Sequence, residues 1–464
     1  MIDFKDIEGI YFIGIGGIGM SALALYFARG GYAVGGYDRN QSRITDRLTE
    51  ESCKIAFEDN PGILPELYKN VQNAERVLIV YTPAIPAENK ILTWFRNGPY
   101  RILKRSEILG EISDRTDTLA VAGTHGKTTV STMIAHLLKQ SHVDCSAFLG
   151  GISKNYDSNL LTGAGRYTVI EADEFDRSFL RLKPLMAVIT ALDADHLDIY
   201  GDRKTMVEAY NEFCRKIKKG GTLLVNKRIR DDIDVPEGVR CFTYGFEQGS
   251  DYRTFDIQSK NEHYIFNFST PSETFENMHF AFPGIINVEN ITAAIAIAMF
   301  CGADIGEIRK AMITFSGVRR RFDIRLNMPG LAYVDDYAHH PEEIKAFITS
   351  AKEYFKGRKI TGIFQPHLFS RTNDHADGFA ACLDELDEVI ILPIYPAREK
   401  PMPGVTSGLI FDRMRSANKK LVNKEDLPGM LDIEKLDVLV TIGAGDIDTL
   451  VYPIEQKLRI SRKQ

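Results

Sequence analysis

Residues 121–129 carry the side chains needed to bind a nucleoside triphosphate. They read Val-Ala-Gly-Thr-His-Gly-Lys-Thr-Thr, follow an apolar run and precede a stretch with helical periodicity. Gly126 lets the backbone approach a phosphate, Lys127 can reach the β- and γ-phosphates, and the Thr128 hydroxyl can bind Mg²⁺. Val121 replaces the first glycine of the usual pattern, but these chemical groups are all kept. The sequence predicts an ATP site formed by Gly123, Thr124, His125, Gly126, Lys127, Thr128 and Thr129.

A second glycine loop, residues 14–19, reads Gly-Ile-Gly-Gly-Ile-Gly between an apolar run and a helical stretch. Such a loop brings backbone N–H groups and a helix N-terminus to a diphosphate. Asp38 ends the next apolar run, where a dinucleotide-binding fold has its ribose-binding acid. Taken alone, the loop fits an NAD-linked oxidoreductase, another diphosphate-binding protein, or a turn without a ligand. The candidate ligand contacts are Gly14, Gly16, Gly17, Gly19 and Asp38.

Two acidic segments follow predicted strands beyond the ATP loop. One contains Glu171, Asp173 and Glu174, and the other, residues 193–198, reads Asp-Ala-Asp-His-Leu-Asp. Mg²⁺ on a triphosphate takes oxygen ligands, which carboxylates at strand ends can supply. Alternation along a strand predicts that Glu171 and Asp173 face the same side. The alternative interpretation is a pair of solvated loops.

A third polar cluster, residues 335–341, reads Asp-Asp-Tyr-Ala-His-His-Pro and follows another apolar run. Pro341 suits the first turn of a helix. The adjacent histidines, His339 and His340, either take part in chemistry or face solvent. We predict no chemical role for the isolated histidines His136, His142, His263 and His279.

Short apolar runs and longer amphipathic stretches alternate along the chain, which predicts mostly parallel sheets covered by helices. Predicted strands span residues 11–15, 33–37, 77–81, 119–122, 167–170, 187–190, 223–225, 333–334, 360–364, 388–392 and 438–442. Predicted helices span residues 21–29, 128–139, 341–355 and 372–386. Alternating polar and apolar residues over 241–269 predict appended antiparallel hairpins. The predicted α/β fold has three domains: a Rossmann-like domain over 1–113, a P-loop ATPase-type domain over 114–315, and a C-terminal Rossmann-like domain over 316–464.

The composition excludes several classes of protein. The chain has 464 residues, 44% of them hydrophobic and 26% charged, as expected for a globular protein of several domains. Its net charge of −6, without a Lys/Arg-rich run, argues against nucleic-acid binding. No apolar run reaches the roughly 20 residues of a membrane span. Six scattered cysteines and an acidic N-terminus unlike a signal peptide predict a cytoplasmic location.

Taken in order, the motifs resemble those of the Mur ligase family, which joins amino acids to UDP-muramoyl carboxylates in peptidoglycan synthesis. The resemblance covers essentially the whole chain and includes residues 14–21, 105–107, 123–129, 171–173, 193–198, 284–290, 320–323, 336–341 and 364–372. The ATP loop, the doubled histidine and the Phe-Gln-Pro-His of residues 364–367 are most similar to the branch that adds L-alanine to UDP-N-acetylmuramate. The resemblance implies these two small-molecule substrates, ATP, two Mg²⁺ ions, and a monomer or weak homodimer.

The resemblance also implies a role for each matching residue. Thr128 and Glu171 would bind one Mg²⁺, and His196 would help to bind a second. Asn287 and Asn290 would contact adenine, and the third domain would bring Arg321 onto the phosphates. The implied catalytic residues are Lys127, His196, Arg321, Asp336 and His339.

The resemblance reassigns the first glycine loop, including Asp38, from NAD to the UDP diphosphate of the substrate. Thr82 and Arg105 would contact the UDP portion, and His339, His367 and Arg371 would contact the muramoyl carboxylate and the amino acid. The branch usually has an arginine where this chain has Leu368, so one expected substrate contact is absent.

The implied reaction activates a carboxylate by ATP-dependent phosphorylation and passes the acyl phosphate to an amine. Two alternatives remain. One is the recycling ligase that attaches a whole tripeptide to the same UDP sugar, which residues 336–341 and 364–372 disfavour. The other is an NAD-dependent oxidoreductase, which leaves Lys127, Glu171 and His196 without a role.

Overall fold

The computed structural model describes residues 4–193, 200–260, 263–397 and 399–461. The chain forms two compact units. The first comprises 1–259, 264–281 and 289–316, and the second comprises 260–263, 282–288 and 317–464. The first unit contains two β-sheets and the second contains one.

The first sheet has five parallel strands in the order β3-β2-β1-β4-β5. Its strands are β1 (Gly9–Ile13), β2 (Ala33–Tyr37), β3 (Lys54–Ala56), β4 (Val77–Tyr81) and β5 (Arg101–Lys104). Its helices are α1 (Ile18–Arg29), α2 (Arg43–Glu50), α3 (Glu66–Lys69), α4 (Lys90–Arg96) and α5 (Arg105–Arg115), and its 3-10 turns are Phe4–Asp6, Pro61–Ile63 and Val71–Arg76. The chain reverses its strand order between β1 and β4, and the carboxyl ends of such a pair form a ligand-binding crevice.

The second sheet has ten strands in the order β15-β14-β13-β12-β11-β10-β6-β9-β7-β8. They are β6 (Asp117–Ala122), β7 (Cys145–Ser153), β8 (Ser158–Leu161), β9 (Tyr167–Glu171), β10 (Met186–Ile189), β11 (Thr222–Asn226), β12 (Arg240–Gly245), β13 (Tyr252–Lys260), β14 (His263–Ser269) and β15 (Thr274–Phe280). The helices are α6 (Lys127–Lys139), α7 (Arg203–Cys214), α8 (Ile285–Phe300) and α9 (Ile305–Thr314), and the 3-10 turns are Phe175–Arg181 and Lys227–Asp232. Every residue of β11 is buried and every residue of β6 after Asp117 is buried, as expected for strands covered on both faces.

The strand pairing in this sheet differs in part from the hairpins predicted over residues 241–269. β12 pairs in parallel with both β11 and β13, so the predicted hairpin over residues 241–269 is wrong for its first strand. The antiparallel hairpin joins β14 to β15, and a second one joins β7 to β8. The alternation that led to the prediction reflects one buried face, and it does not distinguish parallel from antiparallel neighbours.

The third sheet has six strands in the order β16-β17-β21-β18-β19-β20, and only β16 runs antiparallel to its neighbour. The strands are β16 (Asp323–Met328), β17 (Leu331–Asp336), β18 (Ile360–Phe364), β19 (Glu388–Ile391), β20 (Lys419–Leu421) and β21 (Val438–Ile442). The helices are α10 (Pro341–Tyr354), α11 (Phe369–Leu383), α12 (Gly408–Phe411), α13 (Leu427–Met430) and α14 (Asp448–Ser461), with a 3-10 turn at Ile433–Lys435. The predicted α/β fold with mostly parallel sheets is confirmed. Within the described ranges, no helix has both the length and the apolar character of a membrane span.

Candidate active site

The ATP loop connects β6 to α6, and its backbone turns at two glycines. Gly123 has φ +134° and Gly126 has φ +81°, a region that favours glycine because other residues carry a Cβ. Gly126 is the N-cap of α6, so Lys127, Thr128 and Thr129 form the first turn of that helix. N–H groups in a first turn have no partner within the helix and can bind a phosphate.

The chain that follows β10 holds the loop in place. The backbone N–H of Thr124 donates to Ala191 O at 3.0 Å, and the Thr190 hydroxyl donates to His125 O. The backbone N–H of Asp193 donates to the Thr124 hydroxyl at 3.1 Å, and the Asp193 carboxylate lies 3.7 Å from His125 Nε2. The loop is therefore held in one shape by a neighbouring strand of the same sheet.

The Lys127 ammonium is bound on three sides. Its Nζ donates to Glu174 Oε1 at 2.7 Å, to Gly123 O at 2.7 Å, and to a second loop carbonyl at 3.3 Å. Burial alone would lower the pKa of Lys127, but the carboxylates of Glu174, Glu171 and Asp173 outweigh it and raise that pKa. The side chain is therefore a cation held at the base of the phosphate loop.

Thr128 and Glu171 place two oxygen atoms beside that cation. The Thr128 hydroxyl donates to Glu171 Oε1 at 3.0 Å, and the N–H of Gly150 donates to Glu171 Oε2 at 3.0 Å. A Cβ on Gly150 would collide with the Glu171 carboxylate, so this approach requires glycine. A hydroxyl and a carboxylate are the ligand types that Mg²⁺ takes in proteins. Among the residues that the structure describes, no three His, Cys, Asp or Glu side chains are grouped as a complete metal site.

The first glycine loop lies at the carboxyl ends of β1, β2 and β4. The backbone N–H of Gly16 donates to Asp38 Oδ2 at 2.8 Å, and Gly17 is the N-cap of α1. Gly14 has φ +87°, and a Cβ there would lie 3.1 Å from Thr82 Cγ2. The structure thus brings Gly14, Gly16, Gly17, Asp38 and Thr82 together from three strand ends.

Arg105 connects this crevice to the acidic segment after β9. A Cβ on Gly19 would lie 2.7 Å from Arg105 Nη1, and Arg105 Nη2 lies 3.3 Å from Asp173 Oδ2. β9 ends at Glu171, so Asp173 lies beyond the strand, and the strand alternation behind the prediction does not extend to it. Asp173 lies in the following loop and also accepts the backbone N–H of Phe175 at 3.0 Å.

Two further predicted residues of the ATP site, Asn287 and Asn290, lie in α8. The Asn290 side-chain oxygen would be 3.0 Å from a Cβ on Gly126, which places it against the phosphate loop. Asn287 donates from its side chain to Pro283 O at 2.6 Å. His196, the predicted metal and catalytic residue, lies outside the described residues.

The second unit contains a buried carboxylate at the end of β17. Asp336 accepts the backbone N–H of Phe322 at 2.6 Å and that of Ala338 at 2.8 Å. Burial raises the pKa of Asp336 to about 6, although the nearby Arg321 guanidinium acts in the opposite direction. Arg321 lies over the ring of Tyr337, with its Cζ 5.1 Å from the ring centroid. Asp336 thus fixes the turn that carries Arg321, and its pKa lies near neutrality.

Two predicted histidines, His339 and His367, lie close together in this unit, with one ring edge-on to the other. The rings of His339 and His367 have centroids 6.0 Å apart, and His339 Nδ1 lies 3.3 Å from Glu343 Oε2. Burial lowers the pKa of His339, and burial together with His339 and Arg371 lowers the pKa of His367 to about 4. His367 is therefore neutral at pH 7.

Leu368, where the family branch usually has arginine, begins α11 with φ +69° and ψ 141°. A side chain rarely adopts this conformation because its Cβ is crowded by the backbone. Its backbone N–H donates to Tyr395 O at 2.9 Å, and its carbonyl accepts the Thr372 hydroxyl at 2.7 Å. These two hydrogen bonds hold the strained residue at the N-cap of α11.

Sequence reasoning gave no role to several residues at these sites. Glu174 is one of three acids between residues 171 and 174, and nothing in the sequence distinguishes it as the acid that pairs with Lys127. The others are Gly150, Thr190, Tyr395 and Glu399. None of them belongs to a motif whose spacing predicts chemistry, and all act on residues far from them in the chain.

Known proteins resemble this chain along nearly its whole length. Three family models match consecutive parts of the chain: the Mur ligase family catalytic domain over 9–116, the Mur ligase middle domain over 121–298, and the Mur ligase glutamate ligase domain over 320–445. The chain is 47% identical over 458 residues to the UDP-N-acetylmuramate–L-alanine ligase of Parabacteroides distasonis, covering 98% of each chain.

Solved structures show the same fold. The crystal structure of the UDP-N-acetylmuramate–alanine ligase of Thermotoga maritima matches with a TM-score of 0.82 and 26% identity, covering 98% of this chain and 100% of that one. The murein peptide ligase of Psychrobacter arcticus matches with a TM-score of 0.71 and 21% identity, covering 97% and 98% of the two chains.

Proposed function

The chain belongs to the Mur ligase family, and from that premise we propose that it joins L-alanine to UDP-N-acetylmuramate with the conversion of ATP to ADP and phosphate. The observation that carries the proposal is the full-length similarity to a ligase of that name. The product is a peptidoglycan precursor. The tripeptide-adding alternative rests on a likeness in fold alone.

The reaction needs an activated carboxylate, because a carboxylate oxygen does not leave when an amine attacks. A lactyl carboxylate oxygen attacks the γ-phosphorus of ATP, the P–O bond to ADP breaks, and an acyl phosphate forms. The amine of L-alanine then attacks the carbonyl carbon, and phosphate leaves from a tetrahedral intermediate as the amide forms. The oxidoreductase alternative gives no role to a lysine held at a phosphate loop.

Lys127 supplies the positive charge for the first step. Three contacts fix its ammonium before the substrate arrives, so little reorganisation is needed when charge develops on the transferred phosphoryl group. The first turn of α6 adds backbone donors and the positive end of a helix dipole.

Thr128 and Glu171 fit a Mg²⁺ ion bound to the triphosphate, because they present two oxygen atoms 3.0 Å apart next to Lys127. Bound there, the ion would neutralise charge on the phosphates. His196 for a second ion, Asn287 and Asn290 for adenine, and Arg321 for the phosphates are assigned here from the family resemblance.

The substrate residues are assigned in the same way. The cluster of Gly14, Gly16, Gly17, Gly19, Asp38, Thr82 and Arg105 would hold the UDP portion. Its location at a strand-order reversal supports this, since diphosphates bind at such crevices. Asp336, His339, His367 and Arg371 would act on the muramoyl carboxylate and the amino acid.

We propose domain bounds of 1–113, 114–315 and 316–464, which lie close to the limits of the three family models. We also propose a cytoplasmic monomer or weak homodimer. All six cysteines are free thiols, which fits a reducing compartment.

The direct test is turnover of the purified protein with ATP and Mg²⁺. ADP and phosphate should appear only when UDP-N-acetylmuramate and L-alanine are both present, and the product should gain the mass of one alanine residue. Turnover with the tripeptide L-Ala-γ-D-Glu-meso-diaminopimelate but not with L-alanine would select the recycling activity. ADP release that does not depend on the UDP sugar would contradict both ligase activities.

A further inference from the structure

Arg371 and Glu399 place opposite charges around one neutral ring in the second unit. Glu399 accepts a hydrogen bond from Ser370, the residue before Arg371, so both charged residues lie at the start of α11. Burial is the main cause that lowers the pKa of His367; Arg371 lowers it further and Glu399 raises it. Within the described part of the chain, Arg371 makes no hydrogen bond or ion pair. An arginine without a partner beside a neutral histidine is available to an anionic ligand.

Glu399 is held in place by the first turn of α11. Its Oε2 accepts the backbone N–H of Ser370 at 3.0 Å, and its Oε1 accepts the Ser370 hydroxyl at 2.5 Å. Burial would raise the pKa of Glu399, but these hydrogen bonds outweigh it and lower that pKa. Glu399 is therefore a carboxylate at neutral pH. Each oxygen can accept a further hydrogen bond, so the group can bind a cation without losing Ser370.

Aromatic rings surround His367 in this unit. The His367 ring stacks on Tyr395 at 5.8 Å between centroids and lies 6.0 Å from the His339 ring. Its Nδ1 is buried and has no hydrogen-bond partner among the described residues. A cation and an anion beside the neutral His367 ring together complement a small zwitterion.

We propose that Glu399 binds the protonated amino group of the incoming amino acid while Arg371 binds its carboxylate. The inference rests on the proposed function and completes it, because the family resemblance gives the amino acid an arginine but no partner for its ammonium group. A free α-amino acid carries both charges at neutral pH, whereas a simple acid or a simple amine carries one. The pair therefore selects zwitterions, and Glu399 positions the amino nitrogen of the bound amino acid.

Two competitors of L-alanine, each lacking one charge, separate the two roles. L-alaninamide keeps the ammonium group and lacks the carboxylate, and propionate keeps the carboxylate and lacks the ammonium group. In ADP-release assays at saturating UDP-N-acetylmuramate and ATP, E399Q should raise the KM for L-alanine and weaken competition by L-alaninamide by about 10- to 100-fold. Competition by propionate should stay within about twofold of wild type, since it makes no charge-assisted bond to Glu399.

R371Q should show the opposite pattern: competition by propionate should weaken, and competition by L-alaninamide should be retained. E385Q, which removes an exposed carboxylate of the same unit, is the matched control and should change neither competitor. S370A removes one contact to Glu399 without changing its charge, so it should have a smaller effect on L-alaninamide than E399Q. The KM for UDP-N-acetylmuramate should be unchanged in E399Q.

The outcomes separate this inference from the function beneath it. Wild-type protein that forms no ADP with both substrates overturns the proposed function and this inference together. If the wild type is active and E399Q weakens competition by L-alaninamide and by propionate equally, this inference alone is overturned. The same holds if E399Q weakens competition by neither compound.

Discussion

Lys127 Nζ lies 2.7 Å from Glu174 Oε1, and the Glu174 side chain is 1% exposed. A buried carboxylate that has lost its cation destabilises the folded protein. Lys127 therefore affects the stability of the phosphate loop as well as its chemistry. Glu174 holds the ammonium at the loop before any phosphate binds. A double-mutant cycle on Lys127 and Glu174 can therefore distinguish the effect of the pair on stability from its effect on catalysis.

K127M should destabilise the protein by about 3–5 kcal/mol, because Glu174 is left buried and unpaired. Adding E174Q to K127M should restore most of that loss, since the double variant buries no charge. Denaturant unfolding of wild type, both single variants and the double variant measures this. Equal unfolding free energies of K127M and of the double variant would show that the ion pair does not stabilise the loop.

The same double variant should remain inactive. Loss of the Lys127 charge should lower kcat by about 10²–10³-fold or more, because no other group replaces it at the transferred phosphate. Binding of UDP-N-acetylmuramate, measured by calorimetry, should persist because its proposed site uses other residues. Near-normal turnover in K127M or in the double variant would contradict the assignment of the ATP loop.

E171Q and H196A should each shift the Mg²⁺ dependence of turnover to higher concentration, because each removes a proposed ligand. G150A should act in the same direction, since its Cβ would displace the Glu171 carboxylate. E208Q, on the exposed face of α7, is the matched control. A lower rate with an unchanged Mg²⁺ titration would assign these residues another role.

Asp336 should make the protein less stable as the pH rises from 4 to 7. Its pKa is raised to about 6 in the folded state, so the folded protein binds more protons than the unfolded one over this range. The contribution is fully present below the unfolded pKa near 4 and is lost as the pH passes about 6. Relative to D336N, wild type should lose about 3 kcal/mol of unfolding free energy. Urea unfolding of both proteins across this range tests the sign, and parallel curves would contradict it.

Oxygen transfer tests the acyl phosphate. UDP-N-acetylmuramate labelled with ¹⁸O in the lactyl carboxylate should deliver one labelled oxygen to inorganic phosphate for each amide formed. R321A should slow label transfer and product formation together, if Arg321 acts on phosphoryl transfer. Mass spectrometry of phosphate and nucleotide gives the answer, and label in AMP would instead indicate adenylation.

The local parts of this protein follow from its sequence. Strands at 33–37, 77–81, 360–364 and 438–442 have the predicted bounds, since each is a short apolar run between turn residues. The phosphate loop could be predicted because its glycines, lysine and threonine are adjacent in the chain. A helix start and its donors depend on neighbours within a few residues.

Only the tertiary structure decided which distant residues complete those parts. Glu171 ends β9, and Asp173 and Glu174 follow it. In the fold, Glu174 pairs with Lys127, Glu171 with Thr128 and Asp173 with Arg105. The order of strands in the sheet sets these pairings, and nothing in the acidic run itself distinguishes its members. In the second unit, the segment after β19 brings Tyr395 and Glu399 to the residues around His367 in the same way. Contacts of this kind join residues tens of positions apart, so local sequence patterns carry no signal for them.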